Sequence, residues 1–217
     1  MGIQITPSVL NADLSRLAEE VARIPSSDWV HVDVMDGHFV PNLTIGPPVV
    51  KSVRKHTDLY LDCHLMMTNP GDFLEAFADA GANGVSVHIE VPGTADLFSE
   101  MRKLGLDVGL AVNPDTPFEA YEQWLGELDL ILIMTVFPGF GGQSFMAEVM
   151  PKLALTRAAV AERRLRVSIE VDGGIDAHTG PIAGANGADT FVAGHAIFSA
   201  DDPRAAARRI RDAIDRA

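Results

Sequence analysis

A chain of 217 residues in which 47% of side chains are hydrophobic has room for one domain with a real core and little beyond it. Its balance is strongly acidic, 17 Lys plus Arg against 30 Asp plus Glu for a net charge of −13, which disfavours nucleic acid and anionic membranes as partners. The single cysteine, Cys63, excludes an intrachain disulfide, and no stretch approaches the roughly 18 consecutive apolar residues of a membrane span.

Short β-rich runs alternate with helical runs along the chain, at a spacing of roughly 25 to 30 residues, the mark of repeated βα units. Strands are predicted over residues 3–8, 29–35, 59–66, 85–88, 108–112, 128–134, 167–171 and 190–193. Helices are predicted between them. One over 13–22 has Asn11 or Asp13 as N-cap and Leu14, Leu17 and Val21 at helical spacing. Another over 72–80 is stopped by Gly81, the longest covers 146–164, and a basic-faced helix over 203–217 starts with Pro203 in its first turn. Eight strands, each followed by a helix, is the count for a closed (β/α)8 TIM barrel, here one domain over residues 1–217. The runner-up, an open doubly wound sheet, calls for a glycine cluster after the first strand, but Thr6, Pro7 and Ser8 stand there. Residues 1–10 lack a basic start followed by a long apolar run, so a cytoplasmic location is expected.

Three strands bring chemistry to one end of the barrel. Side chains alternate along a strand, so His31, Asp33 and Met35 share one face while Val30, Val32 and Val34 share the other. The valine face suits packing against helices, and the other then points inward. In the third strand Asp62, His64 and Met66 share a face, and the seventh ends with Glu170 and Asp172 on one face. Two imidazoles and two carboxylates at strand ends form a ligand set for a divalent transition metal, with open positions for substrate. Asp62 and Glu170 fall one layer deeper and read as supporting partners. Met35, Met66 and Met134 end strands on the inner face, as barrel filler or as an apolar wall around the carboxylates.

Glycine-rich loops follow strands six, seven and eight: Gly139, Phe140, Gly141 and Gly142, then Gly173 and Gly174, then Gly194 before His195. Backbone N–H groups turned inward by glycines can hold phosphate against an adverse net charge, and the loops after the last strands are where barrels commonly place such a site.

These residues closely resemble the ribulose-phosphate 3-epimerase family. The resemblance is carried by Pro7-Ser8-Val9-Leu10 with Ala12-Asp13; by residues 31–47, H-V-D-V-M-D-G-H-F-V-P-N-L-T-I-G-P; by Asp62-Cys63-His64-Leu65-Met66; by residues 138–145, P-G-F-G-G-Q-S-F; and by residues 170–174, E-V-D-G-G. It implies a ribulose-phosphate-binding barrel of the pentose phosphate pathway that interconverts ribulose 5-phosphate and xylulose 5-phosphate. It further implies that His31, Asp33, His64 and Asp172 bind one divalent cation, zinc first, with iron, manganese or cobalt as alternatives. Asp33 would accept the proton and Asp172 donate it. Ser8 and His64 would contact the sugar, and Gly139 to Gly142, Gly173, Gly174, Gly194 and His195 the phosphate end. A homo-oligomer is also expected from the family. Two positions depart from its pattern. His195 stands where Gly-Ser-Ala would place serine, and Phe137 where a polar residue is usual. Competing readings are a 3-epimerase of a related phosphoketose such as allulose 6-phosphate, and a non-catalytic phosphate-binding barrel. Hexulose-phosphate synthases and decarboxylases carry D-x-K-x-x-D on a strand, and the corresponding strand here has no lysine.

Overall fold

The computed structural model describes residues 2–25 and 27–217. Its strands are β1 (Gln4–Thr6), β2 (Trp29–Met35), β3 (Tyr60–Met66), β4 (Gly84–His88), β5 (Asp107–Val112), β6 (Leu130–Met134), β7 (Ser168–Asp172) and β8 (Thr190–Val192). All pair in parallel, in the order β1-β8-β7-β6-β5-β4-β3-β2. The two ends of that order also meet. Ser8 bridges His31 in parallel, the His31 N–H donates to the Pro7 carbonyl at 3.0 Å, and the Asp28 N–H donates to the Ile5 carbonyl at 3.1 Å. The sheet therefore curls into a TIM barrel and hides its edges. β1 is shorter than the predicted 3–8 because Pro7 has no N–H to give to a ladder.

The α-helices are α1 (Leu17–Ala22), α2 (Pro47–Arg54), α3 (Leu74–Ala80), α4 (Phe98–Lys103), α5 (Met150–Glu162), α6 (Thr179–Ala185), α7 (His195–Phe198) and α8 (Pro203–Asp215). The Asp13 carboxylate does act as a cap, accepting from the Ser15 N–H at 3.0 Å, but it starts a 3-10 turn over Leu14–Arg16 before α1 begins. Gly81 ends α3 in the left-handed conformation at φ 92, where a side chain would be strained. One expectation fails: the connection from β5 to β6 holds two 3-10 segments, Phe118–Ala120 and Glu122–Glu127, and no α-helix. Pro114 and Pro117 break the run before a helix can nucleate. The segment is anchored instead by Tyr121, fully buried, whose hydroxyl lies 2.7 Å from Thr156 Oγ1 on α5.

Strand parity separates two apolar regions. The outward residues Val30, Val32, Val34, Leu61, Leu65, Val85, Ile131 and Ile169 pack with Phe77, Leu153, Ile210 and Ile214 of the helices in one continuous core. Inside the barrel, Ala111, Leu130, Leu132, Met134 and Val136 fill the β5–β6 side. Polar inward residues crowd the opposite side, from β2 to β4 and at β7, and this asymmetry makes the site.

Candidate active site

The register fixes which side chains can meet. Asp33 pairs with His64, His31 with Asp62 one layer below, and Met35 with Met66 one layer above. Across the barrel Asp172 pairs with Met134. Metal-binding atoms of His31, Asp33, His64 and Asp172 lie within 4.8 Å of one another. The structure thus brings together the four residues picked out at strand ends.

His31 is fully buried and its Nδ1 lies 2.6 Å from Asp62 Oδ2, so the ring donates there and turns Nε2 toward Asp33 Oδ1 at 3.3 Å. His64, also fully buried, presents Nδ1 to the same Asp33 oxygen at 3.2 Å. Ser8 Oγ donates to the other Asp33 oxygen at 2.5 Å. Asp33 Oδ1 is thereby faced by two ring nitrogens at once, a cluster of converging donor atoms that suits a small hard or borderline cation. The residues fit a divalent metal.

The two carboxylates are driven apart electrostatically. Burial opposes ionisation of Asp33, yet the facing His31, as a charge and as a hydrogen-bond partner, holds it well below the ordinary carboxylate range. Burial raises Asp172 to about 7, with the charge of Asp33 adding to the effect and His31 opposing it. Burial opposes charge on His31, but Asp33 and Asp62 lift its pKa well above the usual histidine value. His64 is pushed down to about 4 by burial, against the pull of Asp33. Beneath them Glu170 is completely buried, and neither of its carboxyl oxygens finds a hydrogen-bond partner among the described residues. Burial and the neighbouring Asp62 push its pKa well up, so it sits neutral under the cluster.

A cavity of about 410 Å³ opens above this floor, lined by Ser8, Asp33, Asp172, the three methionines Met35, Met66 and Met134, and the glycine loops. His31 and His64 lie beneath the lining, behind Asp33. At the far end stand Gly139, Phe140, Gly141, Gly142, Gly173, Gly174, Gly194 and His195. Close approach demands glycine at two of these positions. Gly174 has φ +64, and a Cβ there would come within 2.5 Å of the Phe145 backbone nitrogen. Gly173 has φ +126, and a Cβ there would come within 2.7 Å of the Val136 backbone nitrogen. Of the two departures, His195 lines this end and bonds through Nδ1 to Ser199 Oγ at 2.9 Å, whereas Phe137 is 47% exposed and lies outside the lining.

Sequence reasoning passed over two groups. Asn11, weighed only as a helix cap, lines the cavity beside Gly141 and Gly194. His88, at the end of β4, is fully buried with its Nε2 2.7 Å from His64 Nε2. The signal for His88 was present: it ends a strand with the same inward parity as His31 and His64.

A parallel barrel with a carboxylate–imidazole cluster under a glycine-lined cavity defines a phosphosugar type of barrel enzyme. Residues 4–198 match the model of the Ribulose-phosphate 3 epimerase family, and the chain belongs to that family. It is 46% identical over 211 residues to the ribulose-phosphate 3-epimerase of Mycobacterium tuberculosis (strain ATCC 25618 / H37Rv), covering 97% of this chain and 92% of that protein. With the ribulose-phosphate 3-epimerase of Bacillus subtilis (strain 168) the identity is 43% over 213 residues, 96% of this chain and 98% of that one. Among solved structures, KGPDC from Streptococcus mutans superimposes with a TM-score of 0.75 at 16% identity, covering 100% of this chain and 99% of that one. The 3-hexulose-6-phosphate synthase from Salmonella typhimurium does so with a TM-score of 0.73 at 18% identity, covering 99% of each. These two likenesses concern the fold alone.

Proposed function

We propose that this chain is an isomerase that interconverts D-ribulose 5-phosphate and D-xylulose 5-phosphate by moving the proton on carbon 3, beside the carbonyl at carbon 2. The supporting observation is that Asp33 and Asp172 share one cavity floor with opposed protonation tendencies. Asp33, held as a carboxylate and anchored by Ser8, is the proton acceptor. Asp172, whose proton affinity burial raises to about 7 in the metal-free protein, is the donor. Inverting carbon 3 requires loss of a proton from one face of a planar enediolate and return at the other, which two carboxyl groups flanking the substrate accomplish. Met35, Met66 and Met134 exclude water from these groups and preserve the split in their affinities.

His31, Asp33, His64 and Asp172 would hold one divalent cation. Zinc suits the mixed imidazole and carboxylate set first, with iron, manganese or cobalt as alternatives. When bound, such an ion supplies polarisation of the carbonyl and offsets negative charge developing on the sugar oxygens. Ser8 orients the sugar end, His64 acts on it only through the cation it would hold, and the loops at Gly139 to Gly142, Gly173, Gly174 and Gly194 with His195 receive the phosphate through backbone N–H groups. Residues 1–217 act as one barrel domain, assemble as a homo-oligomer and work in the cytoplasm. A rice relative, 43% identical over 219 residues, is described as a cytoplasmic isoform, and no helix among the described residues is long and apolar enough to cross a membrane.

Turnover of ribulose 5-phosphate tests the reading. Asp172→Asn is expected to reduce kcat by roughly 10²–10⁴-fold, the range for loss of a positioned acid or base. Near-normal turnover would remove Asp172 from the chemistry. Allulose 6-phosphate run beside it, with several metals, decides between the two ketoses: a clear preference for allulose 6-phosphate would move the reading to that substrate.

A further inference from the structure

The proposed metal ligand His64 has a second face that the chemistry above leaves unused. Its Nε2 lies 2.7 Å from His88 Nε2, with the ring centroids 4.9 Å apart and the planes 30° from parallel. Two nitrogens at that distance need one proton between them, so one ring donates and the other accepts. The next link decides which. His88 Nδ1 lies 3.0 Å from Glu90 Oε2, whose side chain is 23% exposed. The other Glu90 oxygen accepts from the Asn113 N–H at 2.8 Å and from Thr116 Oγ1. Burial opposes ionisation of Glu90, but His88, Thr116 and the Asn113 N–H hold it down to about 2. Carboxylates only accept, and a second one, Asp33, lies 3.2 Å from His64 Nδ1. Neutral rings cannot both carry their hydrogen on Nδ1, because the two Nε2 atoms would then meet as bare lone pairs; the shorter contact is the one to Glu90, so His88 Nδ1 carries the hydrogen and its Nε2 offers a lone pair.

We propose that His88 and Glu90 are positioning residues that hold His64 as its Nε2–H tautomer, so that His64 Nδ1 faces Asp33 as a bare lone pair ready to ligate a metal. The relay is braced from outside the barrel. Lys152 on α5 donates to the carbonyls of Asn113, Pro114 and Thr116 at 2.6, 3.1 and 2.9 Å, fixing the loop whose donors fill one oxygen of Glu90. Thr94 Oγ1 donates to the His88 carbonyl at 2.7 Å, and Phe39 packs over the His88 ring with centroids 4.6 Å apart. His88 therefore has little freedom to turn. The inference rests on the metal-binding reading of His64, and its test separates the two.

Cobalt(II) affinity, measured by competition with a chromophoric chelator on the full chain, reads the relay without reference to turnover. In Glu90→Gln the oxygen that faces Asn113 and Thr116 must stay an acceptor, which turns the amide NH2 toward His88 Nδ1. The His88 hydrogen then moves to Nε2, and the His64 hydrogen is driven onto Nδ1, where the metal should bind. Affinity is expected to fall about 10–100-fold, the usual consequence of losing an outer partner of a metal-bound histidine. His88→Gln keeps the polarity of the chain, because its amide oxygen accepts from His64 and its NH2 donates to Glu90, and it should stay within a few-fold of wild type. Equal affinity in Glu90→Gln and wild type would overturn the relay, as would equal weakening in both variants. Nitrogen-15 spectra of the histidines in wild-type protein serve if a variant fails to fold: His64 should carry its hydrogen on Nε2 and His88 on Nδ1, and the reverse pattern would overturn the proposal. Wild-type protein that takes up no cobalt would contradict the metal reading alone, and the same spectra would still decide the relay.

Discussion

Asp33 and Asp172 are the same residue type in the same cavity, and what separates them is the company each keeps. Asp33 has a serine hydroxyl and two imidazoles within 3.3 Å. Asp172 has burial and a neighbouring negative charge. Since the fold favours neutral Asp172, the group contributes nothing to stability below its unfolded value of 3.8 and an increasing cost from there to about 7. Asparagine carries no such cost. In protein stripped of metal, the stability of Asp172→Asn relative to wild type should therefore rise as pH climbs from about 4 to about 7, then level off. Urea unfolding at several pH values checks this, and parallel profiles would contradict the raised pKa. At this scale the sequence was informative wherever a side chain's role follows from its own strand. Parity alone put His31, Asp33, His64 and Asp172 at one mouth. His88 was readable from the same parity and was overlooked, whereas Glu90 takes its meaning from Asn113, Thr116 and Lys152, whose proximity only the folded loops create.

Elements were legible to the extent that local chemistry decides them. β2 matches its predicted span because valine takes every second position from Val30 to Val34, between Trp29 and Met35. The β5–β6 connection was misjudged because the eight-fold repeat suggested a helix where prolines and a buried tyrosine impose 3-10 turns. α3 is only seven residues long and is too short to hold itself together without packing. It is fixed against the barrel by Leu74 and Phe77, 1% and 0% exposed. Phe77→Ala is expected to lower the free energy of unfolding by about 3–5 kcal/mol while leaving the metal cluster on β2, β3 and β7 untouched. Denaturant unfolding measures the first part. A loss below about 1 kcal/mol, less than the usual cost of a core truncation, would mean that α3 is held by something other than this side chain.

The whole molecule divides its labour between two sides of the strands. The outward faces weld sheet to helices with branched aliphatic residues, and the inward faces leave one half apolar and the other charged. Closure of the sheet between β1 and β2 sets Ser8 beside His31, which brings Ser8 to Asp33 although 25 residues separate them. That closure could be expected from the strand count, whereas the Ser8–Asp33 contact could not be read from spacing. The family's residues recur here in order, while barrels at 16% and 18% identity share the frame alone, so the activity follows from the side chains at the mouth. The most direct test of that activity's mechanism is conversion of ribulose 5-phosphate in deuterium oxide, with carbon 3 of product and recovered substrate examined at early times. Two carboxyl groups on opposite faces predict a solvent deuteron on carbon 3 of the xylulose 5-phosphate from the first turnover. Product that instead keeps the substrate's own hydrogen at carbon 3 would show one group serving both faces, and would contradict the division of roles between Asp33 and Asp172.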